Sequence, residues 1–251
     1  MDNYLNFKDD FEINLPVYRI FSVSRLLSIF NRRELVLVRP KKWDDPFENF
    51  ILRAKASLSI KEEIGLDLTN NVYGQCWSLH RETDAMWRIY SQNKDGVKIS
   101  STPKILLNAL ATSVGSLNGD GYIGKVEYYG QKSLANLIEG AHASGNYQYS
   151  GRDMAESLLF KRSEFRHEKE VRLIFCERES SLQSDIFSFD IDPFSLITSI
   201  VFDPRMEKDL VGVYTQHIRG LGFKGDISQS TLYEIPQLNK KIMQSDQGKY
   251  Y

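Results

Sequence analysis

Residues 165–175 read FRHEKEVRLIF, and the parsing of the whole chain turns on them. Val171, Leu173 and Phe175 alternate with Glu170 and Arg172, the two-residue period of a strand with one face in a core. Continued backwards, that period places Glu168, Glu170 and Arg172 on the opposite face, where they line a surface or a cleft. Two carboxylates held side by side repel, which raises one pKa and prepares the pair for unequal roles. The same charges would also serve a solvated strand edge that discourages edge-to-edge association.

Working outward, the chain of 251 residues suits one large domain or a domain with an appendage. Apolar residues at 41% and charged residues at 26% support an ordinary globular core rather than disorder. With 32 basic and 33 acidic residues the net charge is −1, so global charge gives no sign of a nucleic-acid or membrane binder. No apolar run is long enough to cross a bilayer, and the polar, acidic opening MDNYLNFKDDFEINLP resembles neither a signal nor a transit peptide. Cys76 and Cys176 each sit in an apolar strand-like run and read as buried reduced thiols, consistent with cytoplasm. His80, His142, His167 and His217 are scattered, which disfavours a histidine or cysteine metal site.

The periodicities give an α+β chain of mixed, mostly antiparallel strands with short helices. Strands are expected at 17–21, 35–38, 72–79, 97–100, 121–129, 186–190, 196–202 and 227–234, besides the acidic one. Helices follow Ser22 or Ser24, Thr83 or Asp84, and Thr102-Pro103, with others near 131–139, 153–163 and 207–220. The turn signal NKDG at 93–96 separates two of these elements, and the Gly/Ser/Asn-rich segments 113–121 and 140–152 read as loops. The implied organisation is an N-terminal extension at 1–16, one α+β domain at 17–236 and a polar tail at 237–251.

Four places gather residue types that carry chemistry. Tyr18-Arg19 lies on the first strand, where the arginine is either a surface residue or an anion clamp with five fixed donors. WDDPFE at 43–48 is a turn whose Asp44, Asp45 and Glu48, flanked by Trp43 and Phe47, either satisfy backbone amides or hold a ligand. CWS at 76–78 precedes MWRIY at 86–90, where Trp87 and Tyr90 lie three apart on one helix face, as a core pair or an aromatic shelf for a flat heterocycle. The fourth is the acidic strand, preceded by Lys161 and Arg162 as candidate partners of Glu168 and Glu170.

In this order, YRI, DDPFE, CWSL…AMWRIYSQNKDGVKI and K…F..EKEVRLI closely resemble the bacterial and phage family called domain of unknown function 2971. The resemblance spans roughly residues 17–235 and departs from the usual pattern at Phe165, where tryptophan is common, and at Asp44, where asparagine is. A more distant similarity is to the arginine–serine–glutamate arrangement of ADP-ribosyltransferases, in which split sheets clamp NAD. That similarity implies NAD as substrate and no required metal. It casts Arg19 as the phosphate or ribose clamp, Ser78 as a ribose-orienting group, Glu170 as the stabiliser of an oxocarbenium-like transition state and Glu168 as the activator of the acceptor. Tyr18, Trp87, Tyr90, Asp45, Phe47 and Glu48 would then wall or line the nucleotide site. A macromolecular acceptor, a regulatory partner and a role as an intracellular toxin or antiphage effector belong to the same expectation. Two other classes stay open: a metal-dependent nuclease or phosphodiesterase built on Asp44, Asp45, Glu48, Glu168 and Glu170, and a nucleotide-sensing module without catalysis.

Overall fold

A computed structural model describes residues 2–43, 45, 68–115, 119–134, 136, 150–178 and 184–235. It is a mixed α+β structure whose strands pair mostly antiparallel, as the periodicities predict. The strands are β1 (Tyr4–Leu5), β2 (Val17–Ser22), β3 (Glu34–Val38), β4 (Val72–Ser78), β5 (Gly96–Ser101), β6 (Gly119–Lys125), β7 (Glu127–Tyr129), β8 (Phe160–Arg162), β9 (Glu170–Glu177), β10 (Ile186–Asp190), β11 (Ser199–Phe202) and β12 (Asp226–Gln229). The α-helices are α1 (Asp10–Ile13), α2 (Val23–Arg32), α3 (Asp84–Tyr90), α4 (Pro103–Val114), α5 (Gly151–Ser157), α6 (Pro193–Leu196) and α7 (Lys208–Gly220). No helix among the described residues is long and apolar enough to cross a membrane.

The helix starts follow capping chemistry. Ser22, Thr83 and Thr102 each accept the backbone N–H three residues on, from Arg25, Met86 and Ile105. Helix α2 then lays Val23, Leu26, Ile29 and Phe30 into the core and stops at Arg33, whose φ of 55° is left-handed.

One ten-stranded sheet comprises the path β1-β6-β9-β4-β2-β5-β11-β12 and the pair β3-β10, which joins it at β4. The pleat divides its side chains between two cores. Val171, Leu173 and Phe175 of β9 meet Tyr73 and Trp77 of β4 and the helices α2 and α4 on one face. Ile174 and Cys176 meet Val72, Tyr122 and helix α5 on the other.

The sheet forks at β4. One edge of β4 pairs along its length with β9, from Val72↔Cys176 to Ser78↔Glu170. Its other edge meets β2 through Tyr18↔Ser78 and β3 through Val38↔Gly74. Between those two bridges the Gln75 side chain donates to the Val36 carbonyl at 2.9 Å and accepts from the Trp77 indole at 2.8 Å, polar links across and along the fork.

Several elements depart from the periodicity. The helix expected at 153–163 ends at Ser157, because Phe160–Arg162 leaves it to pair in parallel with Glu127–Tyr129. The strand expected at 196–202 begins as the short helix α6, opened by Asp192 accepting from Phe194 N–H and by Pro193, and becomes extended only at Ser199. The strand expected at 227–234 closes at Gln229. Of the first residues, Tyr4–Leu5 adds a parallel strand beside Ile123–Gly124, and Leu5 and Ile13 are buried. The tail at 237–251 lies outside the described residues.

Candidate active site

At the fork the backbone brings three side chains into one row. Tyr18 of β2 pairs with Ser78 of β4, and Ser78 pairs with Glu170 of β9, so all three project from the same face of adjacent strands. Beyond the Tyr18↔Ser78 bridge β2 turns away to follow β5, and Arg19 stands in the opening beside Cys76 and Trp77. A cavity of about 140 Å³ fills this opening, and Tyr18, Arg19, Ser78, Tyr90, Glu168 and Glu170 all line it. Ile20, Met86 and Trp77 supply its apolar wall, and Cys76 is half-buried there rather than sealed in the core as expected.

The acidic pair is built differently from the strand expected through Glu168. Ser163–Glu168 is a 3-10 helix, and Lys169 adopts a left-handed φ of 43° before β9 begins at Glu170. A left-handed residue breaks the strand's alternation, so the expected strand alignment of Glu168 does not form. Other bonds bring Glu168 back. The Ser78 hydroxyl donates to the Glu168 carbonyl at 2.6 Å, and Leu79 N–H donates to the Lys169 carbonyl at 2.9 Å. The Lys161 ammonium then bridges Glu168 Oε2 at 2.5 Å and Glu170 Oε1 at 2.8 Å.

Arg172 holds the other side of Glu170. Its Nε and Nη2 reach Glu170 Oε2 at 2.7 and 2.5 Å, while Nη1 donates to the Leu158 carbonyl at 2.5 Å. Contrary to the expected cleft position, Arg172 is 0% exposed. Its guanidinium lies over the Trp43 ring, 4.5 Å from the ring centre. Gly74 leaves room for that ring, since a Cβ on it would come within 2.6 Å of Trp43, whereas Gly124, opposite Arg172 on β6, leaves room for Leu159 and Leu5. The Glu170 N–H donates to the Tyr128 hydroxyl at 2.8 Å, which completes the seat of this residue.

These surroundings separate the two carboxyls. Burial and the hydrogen bond with Glu170 push Glu168 up to about 7. Burial also acts to raise Glu170, but the adjoining charges of Arg172 and Lys161 outweigh it and hold that group below the usual carboxylate range. Burial, with the like charge of Arg25 nearby, lowers Arg19 to about 10, so it stays cationic at neutral pH. Tyr90 is raised by burial and by the charges of Glu168 and Glu170.

Other expected site residues lie elsewhere. Trp87 is fully buried behind Ile20 and Met86 and donates its indole N–H to Glu82 at 2.7 Å, so the aromatic shelf reduces to Tyr90. Asp45 is buried and accepts from Arg162 Nη2 at 3.0 Å, bracing β8 rather than facing the cavity. Asp44, Phe47 and Glu48 lie outside the described residues. Ser78 lines the cavity, but its hydroxyl is occupied: it donates to Glu168 and accepts from His80 N–H at 3.0 Å. Among the described residues no three histidine, cysteine or acidic side chains gather as a metal site. Ile20, Cys76, Trp77 and Met86 join the lining without having been singled out for it, since apolar alternation marks core and cavity wall alike.

No curated protein matches the sequence. Among solved structures the chain is similar to DarT from Thermus sp. 2.9 in complex with carba-NAD+, at 11% identity over 86% of this chain and 96% of that one, with a TM-score of 0.39. The same DarT with ADP-ribosylated ssDNA gives 11% identity, 86% and 94% coverage and a TM-score of 0.39. With NAD+ it gives 12% identity, 86% and 96% coverage and a TM-score of 0.39. Residues 86–173, from the MWRIY helix to the EKEVRL strand, match the model of the family described as a protein of unknown function, DUF2971, the family that the ordered motifs resemble.

Proposed function

We propose that this chain is an NAD-consuming enzyme of the ADP-ribosyltransferase kind, with the ribose and nicotinamide of NAD seated in the cavity at the sheet's fork. The observation that supports it is the convergence of Arg19, Ser78, Glu168 and Glu170, spread over some 150 residues of sequence, on one cavity.

The chemistry asks for this set. Breaking the bond between ribose C1′ and the nicotinamide nitrogen sends the electron pair to the departing ring and leaves positive charge on the ribose. A fixed carboxylate beside that carbon stabilises the charge best in a dry pocket. Glu170 is fixed by Lys161 and Arg172: Oε2 accepts both guanidinium bonds, so Oε1, beside Lys161, is the oxygen that would meet a ribose hydroxyl. With Glu168 protonated, two cations face one anion in this cluster. Ionisation of Glu168 balances it, favours positive charge on the sugar and provides the base that takes the acceptor's proton as the new bond to C1′ forms. Arg19 holds an NAD phosphate as a permanent cation. Ser78 acts as a positioning residue through its bond to Glu168.

The test is nicotinamide release from NAD by purified protein, with and without cell extract. Turnover that needs extract means transfer to a macromolecular acceptor, and turnover without it means hydrolysis. Folded protein that turns over no NAD under either condition overturns the enzymatic reading, and retained NAD binding in that case selects a sensing module.

A further inference from the structure

On the far side of the fork from the acidic pair lies a second, larger hollow of about 760 Å³. Helix α2, strand β3 and residues 184–188 form its sides, and Arg19 lines both this hollow and the first cavity. Its lining is cationic and hydroxylic. Arg25 and Arg32 are exposed on α2 with Ser28 between them, and Ser188 faces them from β10. Glu34 is the one carboxylate of the lining among the described residues. No described carboxylate pairs with Arg19, Arg25 or Arg32, although arginines elsewhere in the protein, such as Arg88, Arg178 and Arg205, do have acidic partners. A protein of net charge −1 thus keeps three unneutralised guanidiniums on one hollow.

We infer that this hollow binds a ligand carrying several linked phosphates, held by Arg19, Arg25 and Arg32 with serine hydroxyls as further donors. Guanidinium and hydroxyl groups are the side chains that contact phosphate oxygens, and they do so without reading bases. Arg25 and Arg32 are seven residues apart on one helix, about 10 Å at the helical rise. That reach exceeds a single phosphate, so the ligand offers more than one. The two sources of such chemistry are the backbone of a nucleic-acid strand and the short phosphate chain of a free nucleotide. Among the described residues the lining holds no aromatic ring to stack a base, so affinity follows charge rather than base sequence.

The experiment measures binding of a fluorescein-labelled ten-nucleotide single strand to the full chain by anisotropy over a salt series, with inorganic tripolyphosphate as competitor. Three phosphate contacts on a single strand predict a slope of log affinity against log salt near −2, at about −0.7 per contact. The Arg25→Glu, Arg32→Glu double variant, on exposed positions, is expected to lose at least about tenfold in affinity and most of that slope. Arg25→Lys, Arg32→Lys should retain the bulk of both. Tripolyphosphate displacing the strand only at large excess identifies a strand-length ligand, and displacement at matching concentrations identifies a short phosphate chain. Absence of binding by either probe at low salt, or unchanged binding in a folded glutamate double variant, overturns the inference. Glu170→Gln separates it from the NAD reading, because groove binding persists in that variant whether or not NAD is consumed.

Discussion

Arg172 and Glu170, two residues apart on β9, point to the same face, and the guanidinium grips one carboxylate oxygen through both Nε and Nη2. With Lys161 on the other oxygen, a glutamate that is 7% exposed stays ionised inside the protein. A buried charge of this kind is tolerable only while its partners remain.

Removing one partner should therefore be costly. Arg172→Met leaves Glu170 with Lys161 alone and the Leu158 carbonyl without its guanidinium donor. The expected destabilisation is about 3–5 kcal/mol by urea denaturation. A loss below about 1 kcal/mol would show that the carboxylate finds solvent or another partner on its own.

Glu170→Gln keeps the shape and removes the charge. NAD turnover should fall by about 10²–10³-fold, the scale seen when one preorganised electrostatic group is lost. The circular dichroism spectrum should stay native, although the melting temperature drops. Undiminished turnover in the folded variant would take Glu170 out of the chemistry.

The acidic pair also fixes a pH dependence. Turnover that requires ionised Glu168 should rise with pH through about 7, and Glu168→Gln should flatten that limb at a low rate. Stability runs the other way. Glu168 is raised in the folded protein, so its contribution is full below the ordinary carboxylate range and is lost as pH rises through about 7. Glu170 is depressed, so its contribution is present above its ordinary value and is lost only in strong acid. Urea midpoints at pH 5 and pH 8 should differ in favour of pH 5, and the difference should shrink in Glu168→Gln.

Trp87→Phe separates packing from binding. The variant loses the indole bond to Glu82 and should cost about 1–3 kcal/mol. The KM for NAD should hold, because the ring is not part of the cavity lining. A large rise in KM with normal stability would return Trp87 to the nucleotide site.

Gly124→Val probes the packing of β6 against Leu159 and Leu5. A Cβ at this position would meet Leu159 Cδ1 at 2.4 Å and Leu5 Cβ at 3.0 Å. Overpacking of about 1–3 kcal/mol is expected from thermal melts.

The strand EVRLIFC was legible because Val171 and Leu173 alternate with Glu170 and Arg172 at its start, and the apolar run LIFC that follows meets cores on both faces of the sheet. The helix starts were legible to within a residue or two because a capping group before an apolar stripe has a local signature, and the structure selects Ser22 over Ser24 and Thr83 over Asp84. Lys161 could be named as a partner of the acidic pair from its position before it. The strand at Phe160–Arg162 was hidden, since its pairing with β7 spans more than thirty residues and leaves no local period. Trp87 and Tyr90 show the same limit: spacing put them on one helix face, but burial sent one into the core and the other to the cavity. Arg172 was read as facing a cleft because nothing near it in sequence reveals Trp43 or the glycine, Gly74, that lets the Trp43 ring lie there.

Lys169 gives the acidic pair a property that two carboxylates on one strand would lack. On a strand their separation would be set by the pleat and shared with every neighbouring strand. Here a single left-handed residue lies between them, with one carboxyl on the sheet and the other on a 3-10 turn. The distance between them is set instead by the Ser78 and Leu79 bonds that tie this turn to β4, so the proton affinity of the pair depends on a neighbouring strand as well as on β9 itself.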